Sequence, residues 1–171
     1  MEERTKKRRK RNPLIALIAK LLAFAVAVWV VFSFVLGWKR ASDNDMFPMI
    51  KAGDFCLFYR LDKAFLEDPV VYEDDDGNLR IGRVVAIEGQ EVDFPEEGGY
   101  VVDGTTPGEY VTYETRKAEN GDVEYPVVVG EDEYFVLNDR REDVDDSRKF
   151  GPIPASMVKG RIIFILRRRS I

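Results

Sequence analysis

Residues 14–36 read LIALIAKLLAFAVAVWVVFSFVL, 23 positions in which Lys20 is the single charge and Ser33 the one other strongly polar side chain. At 1.5 Å per residue a helix of this length spans the roughly 30 Å of hydrocarbon in a bilayer. The run predicts one transmembrane anchor, and the rest of the fold has to be built at its end. Lys20 lies close enough to the basic end to snorkel back to the headgroups. Trp38, Lys39 and Arg40 suit the far interface. Before the run stand seven cations, Arg4, Lys6, Lys7, Arg8, Arg9, Lys10 and Arg11, which predicts a cytoplasmic N-terminus and an extracytoplasmic C-terminus. A cleaved signal peptide is the rival reading. Its apolar core is usually ~7–15 residues and ends at a small-x-small site, whereas Ala23, Ala25 and Ala27 fall in the middle of this run. The expected organisation is a basic tail at 1–13, an anchor at 14–38 and an extracytoplasmic domain at 39–171.

The formal net charge of −5 averages two environments, because residues 39–171 hold 18 basic against 29 acidic side chains, a net −11. An acidic body disfavours nucleic acid as a partner. There is no histidine in the chain, which removes His-dependent triads and His-ligated metals. The lone Cys56 sits in an alternating apolar stretch and reads as a small buried hydrophobe. Neither a cofactor nor a metal is expected. The run Asp74, Asp75, Asp76, Gly77, Asn78 lacks the alternation and distal Glu of a calcium loop and reads as a hairpin tip.

After the anchor the pattern is short, β-rich and punctuated. GDFCLFYR, PVVYE, LRIGRVVAIEG, QEVDF, GYVVDG, EYPVVV, EYFVLN and MVKGRIIFILR read as strands separated by Gly, Pro, Asp and Asn. No helix of more than two turns is expected beyond the anchor. The fold class is mostly β, an antiparallel domain tethered by one N-terminal helix. Arg167, Arg168 and Arg169 close the last strand, where they reach anionic headgroups if the sheet folds back, or end as a solvated terminus.

Three segments carry a further signal together: DNDMFPMIKAGD at 43–54, RIGRVVAIEGQEV at 80–92 and EYFVLNDRREDVDDSRKFGPI at 133–153. In this order behind an anchor they resemble the type I signal peptidases, over nearly the whole chain and with the short spacing of Gram-positive, single-anchor members. The family's first box, Ser-Met-x-Pro-Thr, is met by Met46 and Pro48, and the turn after it by Gly53-Asp54. The second, Lys-Arg-Val-x-Gly-x-x-Gly-Asp, is met by Arg83, Val84 and Gly89. The third, Gly-Asp-Asn-Arg-Asp-Asn-Ser-x-Asp-Ser-Arg, is met by Asp139, Arg141, Asp146, Ser147 and Arg148, with Gly151 following.

The resemblance implies a Ser nucleophile in the first box and a Lys general base, its pKa lowered by desolvation, in the second. This chain has Asp45 and Gly82 at those two positions. A carboxylate attacks an amide poorly and opposes a developing oxyanion, and glycine accepts no proton. Arg80 and Arg83 do not substitute, since a guanidinium stays protonated. Met49 and Val144 replace hydroxyl residues of the family's pattern. Two ways of restoring chemistry stay open at this stage: a shifted Ser42 with Lys51, or a carboxylate pair of Asp45 with Asp43 or Asp139.

No catalytic residue is therefore expected. Met46, Phe47, Pro48, Arg83 and Val84 are expected at the substrate groove or its loop, with Met46 and Phe47 alternatively dipping into the membrane interface. Asp139, Arg141, Asp146, Ser147, Arg148 and Gly151 are expected to support the site, Asp146 with Arg148 as an ion pair. The resemblance extends to signal-peptidase-like proteins without the dyad that assist pilin polymerisation by sortases. The implied function is a membrane-bound chaperone or assembly factor for secreted or pilin precursors, with a sortase as a possible partner. The alternatives are an active signal peptidase with atypical residues and a plain membrane-tethered interaction module.

Overall fold

The computed structural model describes residues 12–108 and 113–167. The basic residues Arg4 to Arg11, and Arg168 and Arg169 near the C-terminus, lie outside the described residues. Asn12 caps the first helix by accepting a hydrogen bond from the Leu14 N–H at 3.2 Å, and Pro13 takes the first helical position. Helix α1 (Pro13–Val30) runs into a π-helical turn at Val31–Val35. Together they form one apolar segment long enough to cross a membrane, with no buried residue.

The chain then enters strand β1 (Leu36–Arg40) without a linker. This differs from the anchor boundary expected at residue 38. Leu36, Gly37 and Trp38 pair with Tyr59, Phe58 and Leu57 of β2 (Phe55–Tyr59), so cross-strand bonding claims residues that hydrophobicity alone assigned to the helix. The other strands are β3 (Pro69–Glu73), β4 (Leu79–Ile87), β5 (Glu91–Asp93), β6 (Val101–Val102), β7 (Val127–Val128), β8 (Glu133–Leu137), β9 (Ile153–Pro154) and β10 (Val158–Leu166). All pairings are antiparallel. A seven-stranded sheet has the order β1-β2-β10-β3-β4-β8-β9, and a smaller one the order β6-β5-β7. Bulges between Val84 and Ala86 and between Ile162 and Phe164 interrupt the register and bend the large sheet.

Both faces of β3 and β4 are covered, which is why PVVYE is apolar without alternation. Val71 packs on one side with Met46, Ile50, Cys56 and Phe58. Val70, Tyr72, Val84 and Val136 pack on the other with Tyr134 and Ile153. A third cluster, around Phe94, Phe135 and Leu137, joins the small sheet to β4 and β8. Cys56 is fully buried, and burial, with Asp54 nearby, pushes its thiol up to about 11. It is a core residue and not a reactive one. Besides α1, the one α-helical segment among the described residues is the single turn α2 (Ser147–Phe150).

Candidate functional site

Ser42 to Ile50 form a tight loop above the start of β2. Its base is tied where Ala41 N–H donates to the Asp54 carbonyl at 2.9 Å and Gly53 N–H to the Ala41 carbonyl at 2.8 Å. Gly53 has φ of +93°, a conformation its neighbours in the turn could not supply cheaply. Inside the loop, Ala52 N–H donates to Asn44 Oδ1 at 3.0 Å and Ile50 N–H to the Met46 carbonyl at 2.8 Å. Met46 is 2% exposed and packs with Ile50 and Phe58, so it pins the loop to the core.

Asp45 sits at the crest. Its N–H donates to Asp43 Oδ1 at 3.2 Å, and its carbonyl accepts from Arg140 N–H at 2.7 Å, which joins this loop to the one after β8. The side chain is half-buried. Burial first, then the negative charges of Asp43 and Asp143, raise its pKa to about 6, with Arg80 pulling the other way. Arg80 is committed elsewhere: it donates to Asp74 Oδ2 at 2.8 Å and to Asp145 Oδ2 at 2.5 Å. The Asp74 carboxylate, held low chiefly by the Arg80 and Asn78 hydrogen bonds, is a hairpin-tip anchor that also receives Asn78 N–H.

The loop from Asn138 to Asp146 is held by a buried ion pair. Asp146 and Arg148 are both fully buried and meet through two hydrogen bonds, Nε to Oδ1 at 2.9 Å and an NH2 nitrogen to Oδ2 at 2.7 Å. Asp146 Oδ2 also accepts the Asn138 N–H at 2.9 Å, and Arg148 donates to the carbonyls of Arg141 and Asp143. With the Arg148 backbone N–H on Asp146 Oδ1 and the Arg116 carbonyl on the guanidinium, both oxygens of Asp146 and all three guanidinium nitrogens of Arg148 are engaged, the condition on which a buried pair is tolerable. Ser147 Oγ accepts from Val136 N–H at 3.0 Å, tying the loop back to β8. Gly151 closes α2 at φ +83°. Arg141 is buried, with its guanidinium 5.3 Å from the centre of the Tyr100 ring. Arg83 grips Asp139 with two bonds of 2.7 and 2.6 Å and the Glu67 carbonyl with a third at 2.6 Å.

These contacts correct part of the expected groove. Met46 and Val84 are 2% and 0% exposed and pack in the core, so Met46 lies in the loop as expected but does not dip into a membrane interface. Arg83 is a brace between β4 and the loop after β8. Of the five residues placed at the groove or its loop, Pro48 is exposed and Phe47 and Arg83 are half-buried. Asp139 is engaged with Arg83, which removes it as the partner of Asp45 in a carboxylate pair; Asp43 remains. Ser42 donates to Asp43 Oδ2 at 2.7 Å, while the Lys51 ammonium lies 5.2 Å from the centre of the Phe47 ring.

Beside the crest runs a short strand edge. The β8 ladder on β4 ends at Arg83, while β3 pairs on to Leu79. Val84 bonds to Asp68 and Glu67 on the β3 side. By alternation the backbone groups of Leu79 and Ile81 face the opposite way, where no strand pairs with them among the described residues. Gly82 lies in this stretch. Arrays of His, Cys, Asp or Glu suited to a metal ion are not found among the described residues.

The site is thus a pinned loop beside an open strand edge, on a mostly β domain that follows an apolar helix of membrane-span length. A family model described as signal peptidase, peptidase S26, matches residues 14–167, and the chain belongs to that family. A curated relative named signal peptidase I, from Bacillus licheniformis, is 23% identical over 167 residues, covering 91% of this chain and 90% of its own length. A crystal structure of a signal peptidase I from Enterococcus faecalis is 22% identical, with a TM-score of 0.47, covering 60% of this chain and 98% of its own.

Tyr72, Asp143 and Val136 also shape the site, and the sequence did not point to them. Each lies in an ordinary strand or loop run, and its importance comes from register and loop closure.

Proposed function

We propose that this chain is a signal-peptidase-like protein that holds precursor segments without cutting them. The observation that carries the reading is the pair Asp45 and Gly82 at the two dyad positions, on a scaffold whose bracing is intact. The loop is still pinned by Met46, and the Asp146–Arg148 and Arg83–Asp139 pairs still stand. A scaffold that had lost its use along with its chemistry would not keep buried ion pairs, which are costly when imperfect. An extended segment of a secreted or pilin precursor would add to the edge at Leu79 and Ile81 by strand addition, beneath Phe47 and Pro48. The basic end of the chain faces the cytoplasm in this reading and the β domain faces out. The Bacillus relative's name, signal peptidase I, supports a precursor with a small-x-small site as the client class, and a sortase would be the enzyme served.

A second reading, an active peptidase, has one specific support. After burial, the charge of Asp43 and a hydrogen bond to its side chain raise the Asp45 carboxyl to about 6, so the two resemble a carboxylate pair sharing a proton.

One experiment addresses both. Full-length protein in detergent micelles, carrying a photo-crosslinker at Pro48, is incubated with a preprotein bearing an Ala-x-Ala site across pH 4 to 8. Crosslinking without cleavage at any pH is the expected result. Cleavage that peaks near pH 5–6 and disappears in Asp43→Asn would establish the carboxylate pair instead. Absence of both crosslinking and cleavage would leave a membrane-tethered module with another partner.

A further inference from the structure

Glycine in the middle of a strand is normally unfavourable, so Gly82 needs a reason of its own. It stands opposite Val70 of β3, two register positions from Tyr72, and two residues before Val84, which pairs with Val136 of β8. All four of these side chains are at most 1% exposed. A Cβ on residue 82 would overlap Val136 Cγ1, and would stand 3.3 Å from Tyr72 Cε1 and 3.5 Å from the Leu137 carbonyl oxygen. Val136 is β-branched and packed, so it has no free rotamer to retreat into.

Tyr72 completes the closure. Its ring lies against position 82, and its hydroxyl is buried with no hydrogen-bond partner among the described residues. The charges that act on that hydroxyl are those of Arg80, Asp146, Asp145 and Asp45. An orphaned buried hydroxyl is costly, and the packing of the ring is what offsets it.

We infer that Tyr72 and Val136 occupy the space a side chain at position 82 would need, so that the general-base position is closed by its neighbours and is not simply vacant. The loss of the lysine is then written into three residues on three strands. Replacing Asp45 by Ser and Gly82 by Lys does not by itself rebuild a dyad. This concerns the floor of the site and stands whether or not the groove holds a client.

The test is a set of thermal melts on the full-length protein in detergent micelles. Gly82→Ala is expected to lower Tm by roughly 3–9 °C through overpacking. In a Val136→Ala background the same change fills the space just opened, and is expected to leave Tm unchanged or raise it. Tyr72→Phe, which keeps the ring and removes the orphaned hydroxyl, is expected to match or exceed the wild-type Tm. If Gly82→Ala does not fold at all, a cooperative melt of Gly82→Ala with Val136→Ala gives the same support. A Gly82→Ala protein that melts like wild type overturns the inference. So does a loss of equal size in both backgrounds, or failure to fold in both. Crosslinking to a preprotein is a separate readout, so a failed client reading leaves these melts standing.

Discussion

Asp45 is the residue on which the site turns, and its environment makes a statement about pH. Its carboxyl is held near 6 in the folded protein against an ordinary value of 3.8, chiefly by burial and by Asp43 and Asp143. The folded state therefore binds the proton more tightly than the unfolded chain does. Between about pH 4 and pH 6 the folded form carries the excess proton, so this residue's contribution to stability falls as pH rises and is fully unfavourable above 6. Asp45→Asn should accordingly stabilise the protein at pH 7.5, by about 1 kcal/mol once solvent screening of a half-exposed group is allowed for. The gain should vanish below pH 4, and melts across that range read it directly. A gain of the same size at pH 3.5 would mean that something other than charge is being relieved. Met46 invites a companion measurement, because its burial at 2% assigns it to the core. Met46→Ala should cost about 2–5 kcal/mol in chemical denaturation, where a lipid-facing residue would cost little. The sequence made Asp45 and Gly82 visible, because substitutions inside an otherwise matched motif stand out. It left the reason for Gly82 hidden, since that lies in the side chains of Val136 and Tyr72, brought alongside only by strand register.

Among the elements, the loop after β8 depends most on one contact. Arg148 is fully buried, satisfies Asp146 twice and reaches the carbonyls of Arg141 and Asp143. Arg148→Met keeps the stem but leaves Asp146 charged and without its cation in the interior, so it should cost about 3–5 kcal/mol. Lys63→Ala breaks a pair whose side chains are 80% and 69% exposed, and should change stability by at most about 0.5 kcal/mol. Urea denaturation of the two variants separates a buried pair from a surface one; equal losses would contradict the burial. The long strands were legible because five to nine residues rich in Val, Ile, Phe and Tyr leave few alternatives, and PVVYE in particular matches β3 residue for residue. Two strands were not. β1 is hidden at the end of an apolar run whose composition suits a helix, and β9 is two residues long and contains Pro154. Each forms because a partner strand is already in place, which no local pattern encodes.

At the scale of the molecule, an apolar face of the sheet begins where the apolar helical segment ends. Trp38 pairs with Leu57, which pairs in turn with Phe164, and Phe55 pairs with Leu166, so these side chains line the same face of β1, β2 and β10. Trp38, Phe164 and Leu166 are 66%, 59% and 59% exposed, while the alternate positions Cys56, Phe58 and Ile162 are buried in the core. An apolar patch of this kind needs a cover in water. β1 begins where the apolar helix segment ends, with Arg40 near the Phe55 ring, so the nearest cover is the bilayer that would hold the helix. Aromatic and cationic side chains at such a boundary are what an interface accommodates. The measurement is depth-dependent quenching in vesicles. With Trp29→Phe, Trp38 becomes the sole tryptophan, and lipids brominated near the headgroup should quench it more strongly than lipids brominated near the chain end. Adding Phe164→Asp and Leu166→Asp should weaken that quenching while α1 stays inserted. If Trp38 is quenched only by an aqueous agent such as iodide, the sheet stands off the membrane and the patch has a protein partner instead. The presenting loop would then be carried at a different height above the bilayer, and a client segment emerging from the membrane would have to reach further to meet the edge at Leu79 and Ile81.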